Sequence, residues 1–177
     1  MTAAERLARA AGDHRRAVGE CAATIRAIPL GQWTVARAEG KWTPAQIAEH
    51  LRIAYEPALS ELAGGNGFAV RLPAWRRRVL RWTALPFILR GRFPKGAPAP
   101  REVRPEGFSA SPEEAGRRLT ERSEEFLARL AEAAGKGSVR LTHPYFGKLS
   151  GLEVVTLLSS HARHHRKQLP AGDRIGL

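Results

Sequence analysis

Apolar positions along the chain fall into four runs of helical period, and a residue able to cap a helix start precedes each run. Leu7, Ala11, His14, Val18, Cys21, Ile25 and Ile28 recur every three or four residues, which places them along one side of a long first helix. Thr2 and Glu5 form a capping box at its start, and Pro29 ends it. His14 falls on the buried stripe, where a hydrogen-bonded core histidine is a simpler reading than a ligand. Beyond a linker around Trp33, Thr43 is the N-cap of a second helix, with Pro44 at its first position and Gln46 closing the box. Its inner face is Ile47, His50, Leu51, Ala54 and Ala58; Pro57 kinks or shortens it, and the run Gly64-Gly65-Asn66-Gly67 interrupts it.

The second half repeats this grammar after an irregular stretch. Residues 68–110 lack a sustained period. Within them, Pro73 to Arg90 reads as one or two short basic, aromatic helices, and the Gly and Pro density from Arg92 to Pro105 as an ordered surface loop. A basic amphipathic helix can lie on a membrane or a partner, but the expectation here is an insertion that packs Trp75, Leu80, Trp82 and Phe87 against the body. Ser111-Pro112-Glu113-Glu114 opens a third helix whose stripe is Leu119, Ser123, Phe126, Leu127 and Leu130, running to Gly135. Gly135 to Leu149 is extended or loop, with His143 exposed or capping. Ser150 and Glu153 box the start of a fourth helix that runs to Leu169, ahead of Pro170. Four such starts and little strand-like alternation predict an all-α domain over 1–177. The economical form is a four-helix bundle with a long excursion between helices two and three.

The fourth helix carries the chemistry. On GLEVVTLLSSHARHHRKQL, His161 and His165 lie about 40° apart, on the side that also holds Val154, Leu157, Leu158 and Gln168. Imidazoles on a core-facing stripe need partners, either hydrogen bonds or a metal ion on which an i, i+4 pair converges. Bundles build ligand sites from inward side chains on facing helices, and His50 is the matching inward histidine of helix two. Together the three would present neutral imidazoles to one ion and leave a coordination position open.

Trp42-Thr43-Pro44-Ala45-Gln46-Ile47-Ala48-Glu49-His50-Leu51, then His143-Pro144-Tyr145-Phe146-Gly147, then His161-x-x-His164-His165-x-x-Gln168-Leu169 resemble, in that order, the DinB-like superfamily. The resemblance implies an up-down-down-up four-helix bundle. It also implies a divalent metal on His50, His161 and His165; for imidazole ligands the expectation is zinc or nickel foremost, with iron or manganese as alternatives. His164 stands i+3 from His161, so spacing alone also allows that pair; we read His164 as packing beside the ligands and Gln168 as orienting a ring nitrogen.

A metal on three neutral ligands keeps its charge and can activate either water or a thiol. The resemblance covers both outcomes, a low-molecular-weight thiol S-transferase acting on a small electrophile or a hydrolase. A zincin protease is disfavoured, because Ala162 stands where its general base would be. Glu49 and Glu153 point about 100° and about 80° away from His50 and His161, so no carboxylate shares the ligand faces. Tyr145 is the polar side chain assigned to the pocket. The competing class is a non-catalytic metal-binding bundle with a basic surface for nucleic acid.

Charge and composition bear on that alternative. The net charge is +12, carried by 24 arginines and five lysines spread through every segment, and this dispersal argues against a nucleic-acid groove. The single cysteine, Cys21, excludes an internal disulfide and fits a reducing compartment. The start of the chain lacks a signal peptide's apolar core and no stretch reads as a membrane span, so the expectation is a cytoplasmic protein without a membrane partner. Apolar helix faces fit a homodimer.

Overall fold

The structure, a computed structural model, describes residues 1–69, 72–94, 99–107 and 110–170. It is mostly helical. The first helix, α1, spans Ala3–Arg26 and begins with the Thr2–Glu5 capping box. It stops short of Ile28, and Pro29 instead precedes a four-residue helix, α2, over Leu30–Trp33. Trp33 is therefore no linker residue: its ring is buried and its indole N–H donates to the Ala110 carbonyl at 2.9 Å. Helix α3, Pro44–Ile53, opens with the reciprocal box of Thr43 and Gln46. The chain breaks at Ala54 and Tyr55 and resumes as α4, Glu56–Leu62, where Pro57 sits in the first turn that lacks need of its N–H.

The excursion forms α5, Ala74–Thr83, and α6, Leu85–Leu89, followed by a 3-10 turn over Arg101–Val103. Residues 95–98 of the expected surface loop lie outside the described residues. The excursion does not bury the aromatic side that its sequence suggests. Trp75, Trp82 and Phe87 are 64%, 78% and 51% exposed, while Leu85 and Ile88 are buried and Leu80 packs partly against the core. The reason lies on the opposite side of α5, where Arg81 donates to the Lys148 carbonyl at 2.9 Å and to Glu153 at 2.7 Å. That anchorage turns the tryptophans outward.

Helix α7, Pro112–Lys136, is capped by Ser111, whose hydroxyl accepts from the Glu114 N–H. The box stays half made, because Glu114 is held instead by Arg117 and Arg118. The chain is not purely α. Arg140–His143 (β1) and Gly147–Ser150 (β2) pair antiparallel, with Leu141 opposite Leu149, both buried. Gly147 closes the turn at φ 72°, a conformation that a side chain resists. Strands of four residues are too short for alternation to stand out in the sequence. The last helix, α8, spans Gly151–Arg166 behind the Ser150–Glu153 box, ending three residues before Leu169.

Helix α1 packs on α7 and α8, and α3 packs on the same two. Between them lies one apolar cluster that includes Val18, Ile25, Leu51, Leu119, Phe126, Leu130, Val155 and Leu158. His14 is buried within it as a satisfied core histidine. Ser159 gives its proton to the Val155 carbonyl at 2.7 Å, so its oxygen accepts from His14 Nδ1–H at 3.1 Å, and Tyr55 O–H donates to His14 Nε2 at 3.0 Å. Each polar atom of that group is paired, which is what allows it inside an apolar core.

Candidate metal centre

Local structure sets two of the three histidines. On α8 one turn of helix separates His161 from His165, so the rings rise from neighbouring positions, 4.6 Å between centroids. The third comes from packing. Helix α3 lies against α8 and delivers His50 to the same point, its ring 4.9 Å from that of His161 and 4.9 Å from that of His165. One ring nitrogen from each lies within 4.8 Å of the other two, and the group can hold a metal ion. Tetrahedral zinc at ordinary Zn–N lengths needs donor nitrogens about 3.4 Å apart, a separation this cluster brackets.

Hydrogen bonds settle which nitrogens face inward. His50 Nδ1–H donates to the Val103 carbonyl at 2.6 Å, and His165 Nδ1–H donates to Gln168 Oε1 at 2.9 Å. Each commitment leaves Nε2 without a proton and fixes the ring's rotation, the arrangement that ligating imidazoles need. The Gln168 amide also donates from Nε2 to His164 Nε2 at 2.8 Å. This occupies His164 Nε2, and His164 is not among the three histidines whose ring nitrogens cluster. Gln168 thus orients a ring nitrogen, on His165 and His164 and not on His161.

Residues 13–169 match the DinB superfamily. The chain belongs to this family. It shows no significant match to a curated protein or to a solved structure. In this DinB-superfamily chain the matched span includes His50, His161, His165 and Gln168.

Electrostatics keep the cluster neutral. Burial pushes His50 below the usual imidazole range, against the pull of the Val103 carbonyl. Burial does the same to His165, helped by its histidine neighbours, bringing it to about 3, and His161 is pushed well below the ordinary value by burial and by His165, His50, His164 and His143. Neutral imidazoles at pH 7 offer lone pairs, so a cation entering the site displaces few protons. No described carboxylate joins the group. Glu153 is spent on the Ser150 N–H at 2.7 Å and on Arg81, and Glu49 on Arg52.

The walls are aromatic. Trp42 stacks on His165 with 6.3 Å between centroids and sits 4.7 Å from the His50 ring, while Phe93 stands 4.6 Å from His164 and 6.1 Å from His161. Such surroundings lower the local dielectric and strengthen a cation's pull on whatever it holds. His143 is not exposed: half-buried in the hairpin, it accepts the Tyr145 N–H at 3.2 Å, stacks on Phe146, and burial lowers it to about 3. Tyr145 is half-buried beside it, 5.8 Å from the His143 ring. A separate cavity of about 280 Å³, lined by Trp33, Ala48, Glu49, Arg52 and Arg118, belongs to another part of the surface.

Val103 and Phe93 are missing from the sequence-level site, and Trp42 enters it only as part of a motif. A backbone carbonyl carries no residue signature, so no sequence signal points to Val103. A tryptophan immediately before a capping box on the helix that bears His50 is a signal for Trp42.

Proposed function

We propose that this chain is a metal-dependent enzyme of the DinB superfamily. His50, His161 and His165 hold one divalent ion, zinc or nickel before iron or manganese, and a remaining coordination position receives the nucleophile. The observation that carries the reading is the pair of committed Nδ1 atoms. With Val103 and Gln168 fixing two rings by their Nδ1 atoms, the unprotonated Nε2 atoms are left to a three-histidine cluster that no carboxylate joins among the described residues. When bound, the metal supplies positive charge that lowers the pKa of a water or a thiol and polarises an electrophile.

The chain's own residues do the rest. The three imidazoles fix the coordination geometry, Trp42 and Phe93 exclude bulk water, the hairpin contributes His143 near His161, and Tyr145, next to His143 on that hairpin, is our candidate for a polar group toward the substrate. Without a carboxylate on the ligand faces, the proton that a water or thiol nucleophile loses would pass to a second solvent molecule or to a hairpin group. The substrate is a small electrophile, and the co-substrate either water or a low-molecular-weight thiol. We read α1 and α3, each packed on α7 and α8, as the helices of an up-down-down-up bundle, the chain as one domain, and the protein as a cytoplasmic homodimer.

Elemental analysis of purified protein beside His50→Ala and His161→Ala tests the site; metal in the parent and none in the variants is expected. Turnover by the reloaded parent is then followed with aryl halides plus glutathione-like or mycothiol-like thiols, and with activated esters. Thiol-dependent loss of the halide identifies a transferase, and thiol-independent ester cleavage a hydrolase. A loaded protein that turns over neither class would fit the non-catalytic reading. A nucleic-acid role is the weaker form of that reading, because Arg15, Arg52, Arg81, Arg117, Arg122 and Arg163 are already paired with carboxylates of the same chain.

A further inference from the structure

Helix α5 presents an apolar stripe that no other part of the described residues covers. Trp75, Val79 and Trp82 lie within about 60° of one another around the helix axis, and they are 64%, 51% and 78% exposed. Arg76 and Arg78 flank the stripe, about 90° and about 70° from its centre, and both are exposed. The Arg76 guanidinium rests 5.1 Å from the Trp75 ring. The far side of the helix is the one fastened to the body, through Leu80, Arg77 and Arg81.

Charge over the same segment is one-sided. Between Glu61 and Glu102 the sequence carries nine Lys and Arg and no Asp or Glu, while the rest of the chain mixes both signs. Phe87, Arg90 and Arg92 continue the exposed aromatic and basic character beyond α5.

We propose that this face is a docking surface for an anionic lipid bilayer. The stripe lies on a single helix face. Tryptophan rings at such a face sit at the headgroup level of a membrane, with valine reaching the acyl boundary and flanking arginines meeting lipid phosphates. At ten residues the helix is about 15 Å long, half the hydrocarbon thickness, so it lies in the interface plane. An acidic protein partner would satisfy the arginines but leave the tryptophan stripe without a counterpart.

The test uses the whole chain with sonicated vesicles of phosphatidylcholine alone and of phosphatidylcholine with phosphatidylglycerol, the latter also made with acyl-brominated lipid. Trp33 is buried and bonded and Trp42 is half-buried against His50, so the emission change that the Trp75→Ala/Trp82→Ala variant loses is the one that reports on the exposed rings. Expected are a blue shift and bromine quenching with the anionic vesicles and at least tenfold weaker partitioning to the neutral ones. Trp75→Ala/Trp82→Ala, whose side chains support no core contact, should lose at least tenfold in partitioning while keeping its helical circular dichroism and metal content. Arg76→Gln/Arg78→Gln should lose about tenfold or more.

Absence of binding to anionic vesicles at low salt would overturn the proposal. So would binding that the tryptophan double variant leaves unchanged, which would mark a diffuse attraction from the net charge. Self-association abolished by the double variant without vesicle binding would assign the face to a second copy, and tighter binding to single-stranded nucleic acid than to vesicles would assign it there.

Discussion

The Nε2 atoms of His50 and His161 stand 3.0 Å apart across 111 residues of chain. Because the Val103 carbonyl holds the proton of His50 on Nδ1, the His50 Nε2 meets its neighbour as a lone pair. Without a cation, His161 must donate to it; with one, both turn their lone pairs on the ion. Replacing either residue by Ala should reduce bound metal from about one per chain to near zero by plasma mass spectrometry, and His164→Ala should retain it. Metal at about 1,000 times its Kd should add about 4 kcal/mol to urea stability in the parent and nothing in His50→Ala. An equal gain in both proteins would move the ion elsewhere.

Gln168 holds His165 by its oxygen and His164 by its nitrogen. Removing the amide frees the His165 ring to rotate and to change tautomer without touching a ligand. Gln168→Ala should therefore weaken metal affinity about 10- to 100-fold while stoichiometry at saturation stays the same. Competition against a chromophoric chelator separates the two quantities, and an unchanged affinity would show that packing alone orients the ring.

Sequence legibility follows range. The Thr2–Glu5, Thr43–Gln46 and Ser150–Glu153 boxes are contacts over three residues, so their residue types announce them. The His161 and His165 pairing is equally local. His50 joins them only through packing of α3 on α8, readable from its inward position and from the family resemblance. The Val103 carbonyl, being backbone, left no such trace, and the β1–β2 hairpin, two strands of four residues, showed only as an extended or loop stretch with no pairing legible. Helix α5 misleads for a different reason: it has two apolar edges, and the ion pair of Arg81 with Glu153, a contact across 72 residues, selects which one turns inward.

His14 predicts a pH dependence. Burial lowers it from 6.5 to about 4, with Asp13 pulling the other way, so the folded protein holds it neutral while the unfolded chain protonates it. Its stabilisation is complete above about pH 6.5 and is lost as pH falls toward 4, at up to about 1.4 kcal/mol per pH unit. His14→Gln, which keeps a donor and an acceptor but does not titrate, should show a shallower decline than the parent between pH 6.5 and 4. Urea unfolding with metal chelated measures both, and parallel curves would rule out His14 as the source.

Glu61 fastens the hairpin to α4. Its carboxylate accepts the Thr142 N–H at 2.7 Å, the Thr142 hydroxyl at 2.9 Å and the Lys148 ammonium at 2.5 Å. The first of these satisfies a backbone donor on the outer edge of β1, a group that costs about 1–3 kcal/mol when buried without an acceptor. Glu61→Ala should destabilise the protein by about that amount and speed amide exchange at Thr142. Lys148→Ala, which removes only an exposed ion pair, should cost less than about 1 kcal/mol. Burial raises the Glu61 pKa, but Lys148 and Thr142 outweigh it and hold the group below 4.5. A depressed carboxylate stabilises fully above its unfolded value, so this contribution persists at neutral pH and fades as pH falls below about 4.5. Because the same hairpin carries His143 and Tyr145, loosening it should also reduce turnover of the reloaded protein while leaving metal stoichiometry intact, a split that loss of a ligand would not produce.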